Sequence, residues 1–208
     1  MRLRIQSLAV IFSLIAASLL AVLPAQAATC AATPSGTEGP YYLSGAPIRS
    51  NIIETEQGIK TTLTLTVVDS ACKAIKGATV DIWHTNASGE YSGVDGNNGI
   101  YLRGSQVTNA KGQVTFTTIF PGWYPQRTMH IHFKVWRDGK EVLTSQLFAS
   151  DAVTTKIYAM APYAVRGNQA VNNARDGIYR GYGSSVSLVT MKVVASTKRI
   201  TASAKLVI

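Results

Sequence analysis

His130-Ile131-His132-Phe133-Lys134-Val135 alternates polar and apolar side chains one for one. That period of two belongs to a strand with one face against a core, so Ile131, Phe133 and Val135 are expected inside while the two imidazoles share the opposite face. Arg137-Asp138-Gly139-Lys140 follows, and Asp-Gly is a strong signal for a two-residue hairpin. The returning strand, Val142 to Phe148, then lies directly beside the histidines and carries Gln146 towards them. Two imidazoles on one strand face can share a metal ion, although a bare His-x-His pair is also found at surfaces and in hydrogen-bonded pairs.

The neighbouring segments add chemistry. Gly112 to Phe120 alternates as a strand and runs into the turn Pro121-Gly122-Trp123-Tyr124, which carries a phenol back towards the histidine strand with Arg127 close behind. A strand from Ala78 to Trp83 leads into Gly89-Glu90-Tyr91, a glycine-containing loop that delivers a second phenol. Thr61 to Asp69 alternates leucine and valine with threonine, a further strand. Residues 28–50 hold Pro34, Gly36, Gly39, Pro40, Gly45 and Pro47 and read as an extended arm, with Tyr41 and Tyr42 as aromatic plugs. Ser150-Asp151 caps a short helix to about Met160, residues 166–183 read as a loop, and Val186 to Val194 and Ala204 to Ile208 read as closing strands. The sum is an all-β antiparallel β-sandwich with long loops and at most one short helix.

Residues 1–27 combine a basic start, an apolar run from Leu8 to Leu23 and Ala25-Gln26-Ala27, the pattern of a signal peptide cleaved after Ala27. The apolar run is short for a spanning helix, so no stable membrane anchor is expected, and the product is secreted or periplasmic. Residues 28–208 suffice for one domain with a core. The net charge of +9 is spread along the chain without a basic run, which argues against nucleic-acid binding and leaves oligomeric state open. Cys30 and Cys72 are the only cysteines. Export makes a disulfide between them the default, with two separate thiols as the alternative.

Trp83-His84, Gly89-Glu90-Tyr91-Ser92, Pro121-Gly122-Trp123-Tyr124, Arg127 and His130-Ile131-His132-Phe133, with Glu38-Gly39-Pro40-Tyr41-Tyr42 upstream, resemble the intradiol ring-cleaving dioxygenases, most closely their short secreted branch. The resemblance spans residues 36–182. It implies a non-haem Fe(3+) cofactor, a catechol-type substrate and O2, with cleavage between the two hydroxylated carbons to a cis,cis-muconate type product. It further implies that Tyr91, Tyr124, His130 and His132 are the iron ligands. Arg127 would stabilise charge on the reacting ring, Gln146 would lie beside it, and Tyr124 would leave the metal and take a substrate proton. His84 matches no ligand position in the family and is expected to be structural. Five residues separate Tyr124 from His130, where intracellular relatives carry a longer loop, which implies a more open cleft. Two other classes share parts of the pattern. A non-catalytic prealbumin-like binding sandwich would have no use for all four ligands. A copper or zinc protein would need His84 as its third imidazole.

Overall fold

A computed structural model describes residues 29–196 and 199–208, so the leader reading lies outside the described residues. Among the described residues, eight strands form two four-stranded sheets. One has the order β4-β1-β8-β7, from β1 (Lys60–Val68), β4 (Gln113–Ile119), β7 (Lys192–Ala195) and β8 (Ile200–Val207). The other has the order β3-β2-β5-β6, from β2 (Thr79–Trp83), β3 (Arg103–Val107), β5 (His130–Arg137) and β6 (Lys140–Phe148). The sandwich class stands as expected. Its pairings are antiparallel except β1 with β8, which run parallel.

The core lies between the sheets and is built by the period-two pattern. Leu63, Leu65 and Val67 of β1 and Phe116 of β4 meet Val80 and Ile82 of β2 and Ile131, Phe133 and Val135 of β5. Each such side chain, once buried, contributes about 1.5–3 kcal/mol. The β5–β6 hairpin turns on Asp138 and Gly139, with φ of 51° and 74°, the left-handed pair that a two-residue turn requires. Its register sets His132 opposite Gln146 and Ile131 opposite Leu147.

Several expectations need correction. The polar face of β5 is not half-exposed: His130, His132 and Lys134 are all buried. The arm covers that face, through Gly36 N–H donating to the Thr144 carbonyl (2.8 Å), Gly39 lying against His132, and Glu38 pairing with Lys134 (2.5 Å). Instead of one short helix, the described residues hold three α-helices, α1 (Asp151–Tyr158), α2 (Gly177–Gly181) and α3 (Val186–Val189). Ser150 caps α1 as expected. Inside the segment expected to be loop, Asp176 caps α2 by accepting from the N–H groups of Ile178 and Tyr179. Val186–Val189 is a helical turn rather than strand because Val189 packs with Phe148 and Tyr182 in a small cluster of its own. Cys30 and Cys72 are bonded, tying the start of the arm to the turn after β1. Among the described residues no helix is long and apolar enough to cross a membrane.

Candidate metal centre

The side chains of Tyr91, Tyr124, His130 and His132 meet on the covered face of β5. The Tyr91 hydroxyl lies 3.2 Å from His130 Nε2 and 3.0 Å from His132 Nε2, and the Tyr124 hydroxyl lies 3.3 Å from His130 Nε2. The strand supplies the two nitrogens, and two loops bring the oxygens.

Those loops are locked to each other by close backbone contact. Asn86 Oδ1 accepts from the N–H groups of Ser88 and Glu90, folding residues 86–90 into the turn that aims Tyr91. Gly122 N–H donates to the Asn86 carbonyl (2.9 Å), and the Thr85 hydroxyl donates to the Gly122 carbonyl (2.7 Å). A Cβ on Gly122 would stand 2.3 Å from the Ala87 carbonyl oxygen, so only glycine permits this approach. Arg166 braces the junction, donating to the Trp123 carbonyl (2.7 Å) with its guanidinium over the Trp123 ring (4.3 Å). Arg103, buried on β3, donates to the Ser92 carbonyl (2.6 Å) and the Tyr41 carbonyl (2.7 Å), fixing the chain just past Tyr91 to the arm.

Arg127 lies alongside the four donors, with Nη1 3.5 Å from His130 Nε2. Its Nη2 donates to Gln146 Oε1 (2.6 Å), whose Nε2 donates to the Thr37 carbonyl (3.0 Å). Its Nε donates to Asp176 Oδ2 (2.8 Å), which also accepts from Thr128 N–H (2.8 Å). The hairpin register thus places Gln146 where the alternation required. Sequence reasoning missed Asp176, Arg166 and Arg103. An Asp before Gly177-Ile178-Tyr179 is a capping signal that could have drawn attention to Asp176. Tyr42 is an aromatic plug as expected, its hydroxyl donating to Asp81 (3.2 Å), and Tyr41 stacks on Tyr91 at 4.6 Å.

The donor set fits a metal ion. His130 Nδ1 donates to the Thr128 carbonyl (2.7 Å), so Nε2 carries a bare lone pair. Tyr91, Tyr124 and Arg127 all crowd that single lone pair, which can accept from only one of them. Donors each about 2 Å from a shared ion stand about 3 Å apart, the spacing seen here. Burial lowers His130 to about 3 and pushes His132 well below 6.5, keeping both imidazoles neutral and able to ligate. Burial raises both phenols above 10, so a strong local cation is needed to ionise them. Among the described residues no three His, Cys, Asp or Glu side chains form a metal cluster, so the histidine pair is completed by phenols. His84 stands apart, with Nδ1 donating to the Thr85 carbonyl (2.8 Å) and Nε2 2.7 Å from the Thr118 hydroxyl. The copper or zinc alternative therefore lacks its third imidazole.

A cleft of about 300 Å³ opens beside Tyr91 and Tyr124, bordered by Tyr41, Val94, Asp95 and Asn97. A larger cavity of about 410 Å³ lies beside Cys30 and is lined by neither the four donors nor Arg127.

A family model described as dioxygenase matches residues 37–177. Chlorocatechol 1,2-dioxygenase of Pseudomonas putida is 31% identical over 133 residues, 53% of this chain and 51% of that protein. The chain thus spans about half the length of the curated relatives it matches. Among solved structures, an intradiol ring-cleavage dioxygenase from Tetranychus urticae is 34% identical with a TM-score of 0.79, covering 86% of this chain and 94% of that one. The dioxygenase domain of a dioxygenase and carbohydrate-binding protein fusion from the cellulolytic bacterium Streptomyces sp. SirexAA-E is 27% identical with a TM-score of 0.65, covering 86% and 98%.

Proposed function

The chain belongs to the intradiol ring-cleaving dioxygenase family, and we propose that it is a non-haem iron(III) enzyme that cleaves catechol-type rings between the two hydroxylated carbons with O2. The observation that carries this reading is the convergence of two phenols and two neutral imidazoles, with Arg127 at their side. Tyr91, Tyr124, His130 and His132 would hold the ion. Iron(III) there would supply the Lewis acidity that ionises phenols and a bound catechol and makes the ring electron-rich enough to react with O2.

The two phenols are not equivalent. Both border the cleft, but Tyr91 is buried between Tyr41 and the histidines, whereas Tyr124 is only partly buried. Tyr124 is therefore the phenolate suited to give way to an incoming catechol and accept one of its protons, while Tyr91 stays in place. Arg127, held on three sides by Asp176, Gln146 and its own turn, presents fixed positive charge to the ring as negative charge develops on it. Gln146 orients that guanidinium from below. The short Tyr124–His130 connection and the cleft beside Tyr124 support acceptance of ring-substituted catechols. The leader-like residues 1–27 and the Cys30–Cys72 disulfide support export to an oxidising compartment.

Aerobic incubation of iron-loaded protein with a panel of catechols tests the reading. Oxygen uptake with a muconate-type absorbance, from a protein with a visible tyrosinate band, is the expected result. A colourless protein that consumes no oxygen overturns it. Strict preference for unsubstituted catechol overturns the open-cleft part alone.

A further inference from the structure

We propose that Trp83 is a positioning residue for His132, fixing the rotation of the imidazole by ring stacking where the other imidazole is fixed by a hydrogen bond. The inference rests on the reading of His132 as a ligand in the proposed ferric centre.

A ligating imidazole ordinarily donates its second ring N–H to a carbonyl, carboxylate or water, and that bond sets the tautomer and the ring angle. His130 follows the rule through Nδ1 and the Thr128 carbonyl (2.7 Å). His132 does not. Its Nδ1 is buried and has no hydrogen-bond partner among the described residues. Free rotation about the outer torsion would swing Nε2 away from the other three donors, so something else must hold the ring.

Trp83 is the group in place to do so. Its indole stacks on the imidazole with centroids 4.9 Å apart and planes within 11° of parallel. Trp83 and His132 are direct cross-strand partners in the β2–β5 register, so the stack is built into the sheet rather than left to a loop. Tyr42 packs against the same indole at 4.9 Å. The backbone of Gly39, at φ 73°, lies so near the imidazole that a Cβ there would stand 3.2 Å from Cε1.

The indole carries a cost of its own. Trp83 is buried and its Nε1 also has no partner among the described residues, and a buried N–H without an acceptor is destabilising. A phenyl or aliphatic group would carry no such N–H. What the indole contributes in this place is its flat face.

The test compares Trp83→Phe, which keeps a flat ring, with Trp83→Leu, which does not, in the full folded protein. Ferric iron affinity is read by competition with a chelator, and the energy of the tyrosinate charge-transfer band reports ligand geometry. Ile82→Ala, on the same strand but facing the core, is the control for lost stability. Trp83→Leu is expected to bind iron about ten- to a hundredfold more weakly with a shifted band, and Trp83→Phe to stay within about threefold of wild type. Ile82→Ala is expected to unfold at lower denaturant with wild-type affinity and band. Should Trp83→Leu fail to fold, Trp83→Met takes its place with the same expectation. A Trp83→Leu protein with wild-type affinity and band overturns the inference while the ferric reading stands. So does an Ile82→Ala protein that loses iron equally. A wild-type protein that takes up no ferric iron overturns both.

Discussion

Tyr91 and Tyr124 differ only in surroundings, and that difference sorts their substitutions. Tyr91 is 6% exposed and touches both histidine nitrogens, while Tyr124 touches one and is only partly buried. Tyr91→Phe should weaken iron binding by more than the roughly ten- to hundredfold that loss of an outer partner costs, and ring cleavage should vanish with it. Tyr124→Phe should retain part of the iron, shift the visible band and raise KM. Metal analysis alongside a spectrum separates the two, and equal iron loss in both would remove the proposed division of labour. His84 gives a prediction free of the metal. Burial lowers its pKa from 6.5 to about 4, so between those values the unfolded chain binds the proton and the folded one does not. Stability is full above pH 6.5 and falls as the pH drops towards 4, with a loss of about 2 kcal/mol at pH 5 from this group. His130 and His132, also kept neutral by burial, add losses of the same sign, so the difference in denaturation midpoints between pH 7 and pH 5 should shrink by this amount in His84→Gln relative to wild type.

Asp176 shows what one buried carboxylate can join together. It caps α2, accepts from Thr128 N–H just before β5, and pairs with Arg127, and these bonds hold its own pKa below the usual carboxylate range against the opposing effect of burial. Asp176→Asn keeps the shape and removes the charge, which should cost about 3 kcal/mol of stability and lower kcat at least about tenfold, with less effect on iron content. Wild-type kcat in this variant would show that Arg127 is held well enough by Gln146 alone. The strands of the sandwich were legible because alternation is a local signal, and β1, β4, β5 and β6 fall where it placed them. The hairpin register was legible too, and with it the route of Gln146 to the histidines. β3 was not: Arg103-Gly104-Ser105-Gln106 shows no apolar face, because Gly104 makes room for Ile52, whose Cγ2 would stand 2.5 Å from a Cβ there, and Arg103 is buried on hydrogen bonds. Nor was α2, where glycine and arginine hid a helix that exists because Asp176 caps it. The mutual approach of the two tyrosine loops depends on Gly122 and Asn86 bonding across a gap in sequence, which no local pattern carries.

The four-donor site has a roof, and the disulfide anchors one end of it. The arm runs from Cys30, bonded to Cys72, across the buried face of β5 and β6, where Thr37 holds Gln146, Glu38 pairs with Lys134 and Tyr41 stacks on Tyr91. Lys134, itself 5% exposed and also paired with Glu141 at 2.5 Å, is the internal fastening, and its two carboxylate partners raise its pKa despite burial. Two anchors on one segment make its detachment a graded event. With a sequence separation of 42 between the cysteines, the chain-entropy relation puts the disulfide at about 4 kcal/mol, and for a domain of this size that is roughly 10 °C in melting temperature. Cys72→Ser should lower the melting temperature by that order. Because the arm's own contacts survive, iron content at rest should stay near wild type, while iron release to a chelator becomes faster as the arm opens more often. Adding Lys134→Met to Cys72→Ser removes the second fastening, and the release rate should then rise by more than the two single changes predict. Additive effects would mean that the anchors hold separate parts of the arm, and the site would owe its cover to the contacts at Thr37 and Tyr41 instead.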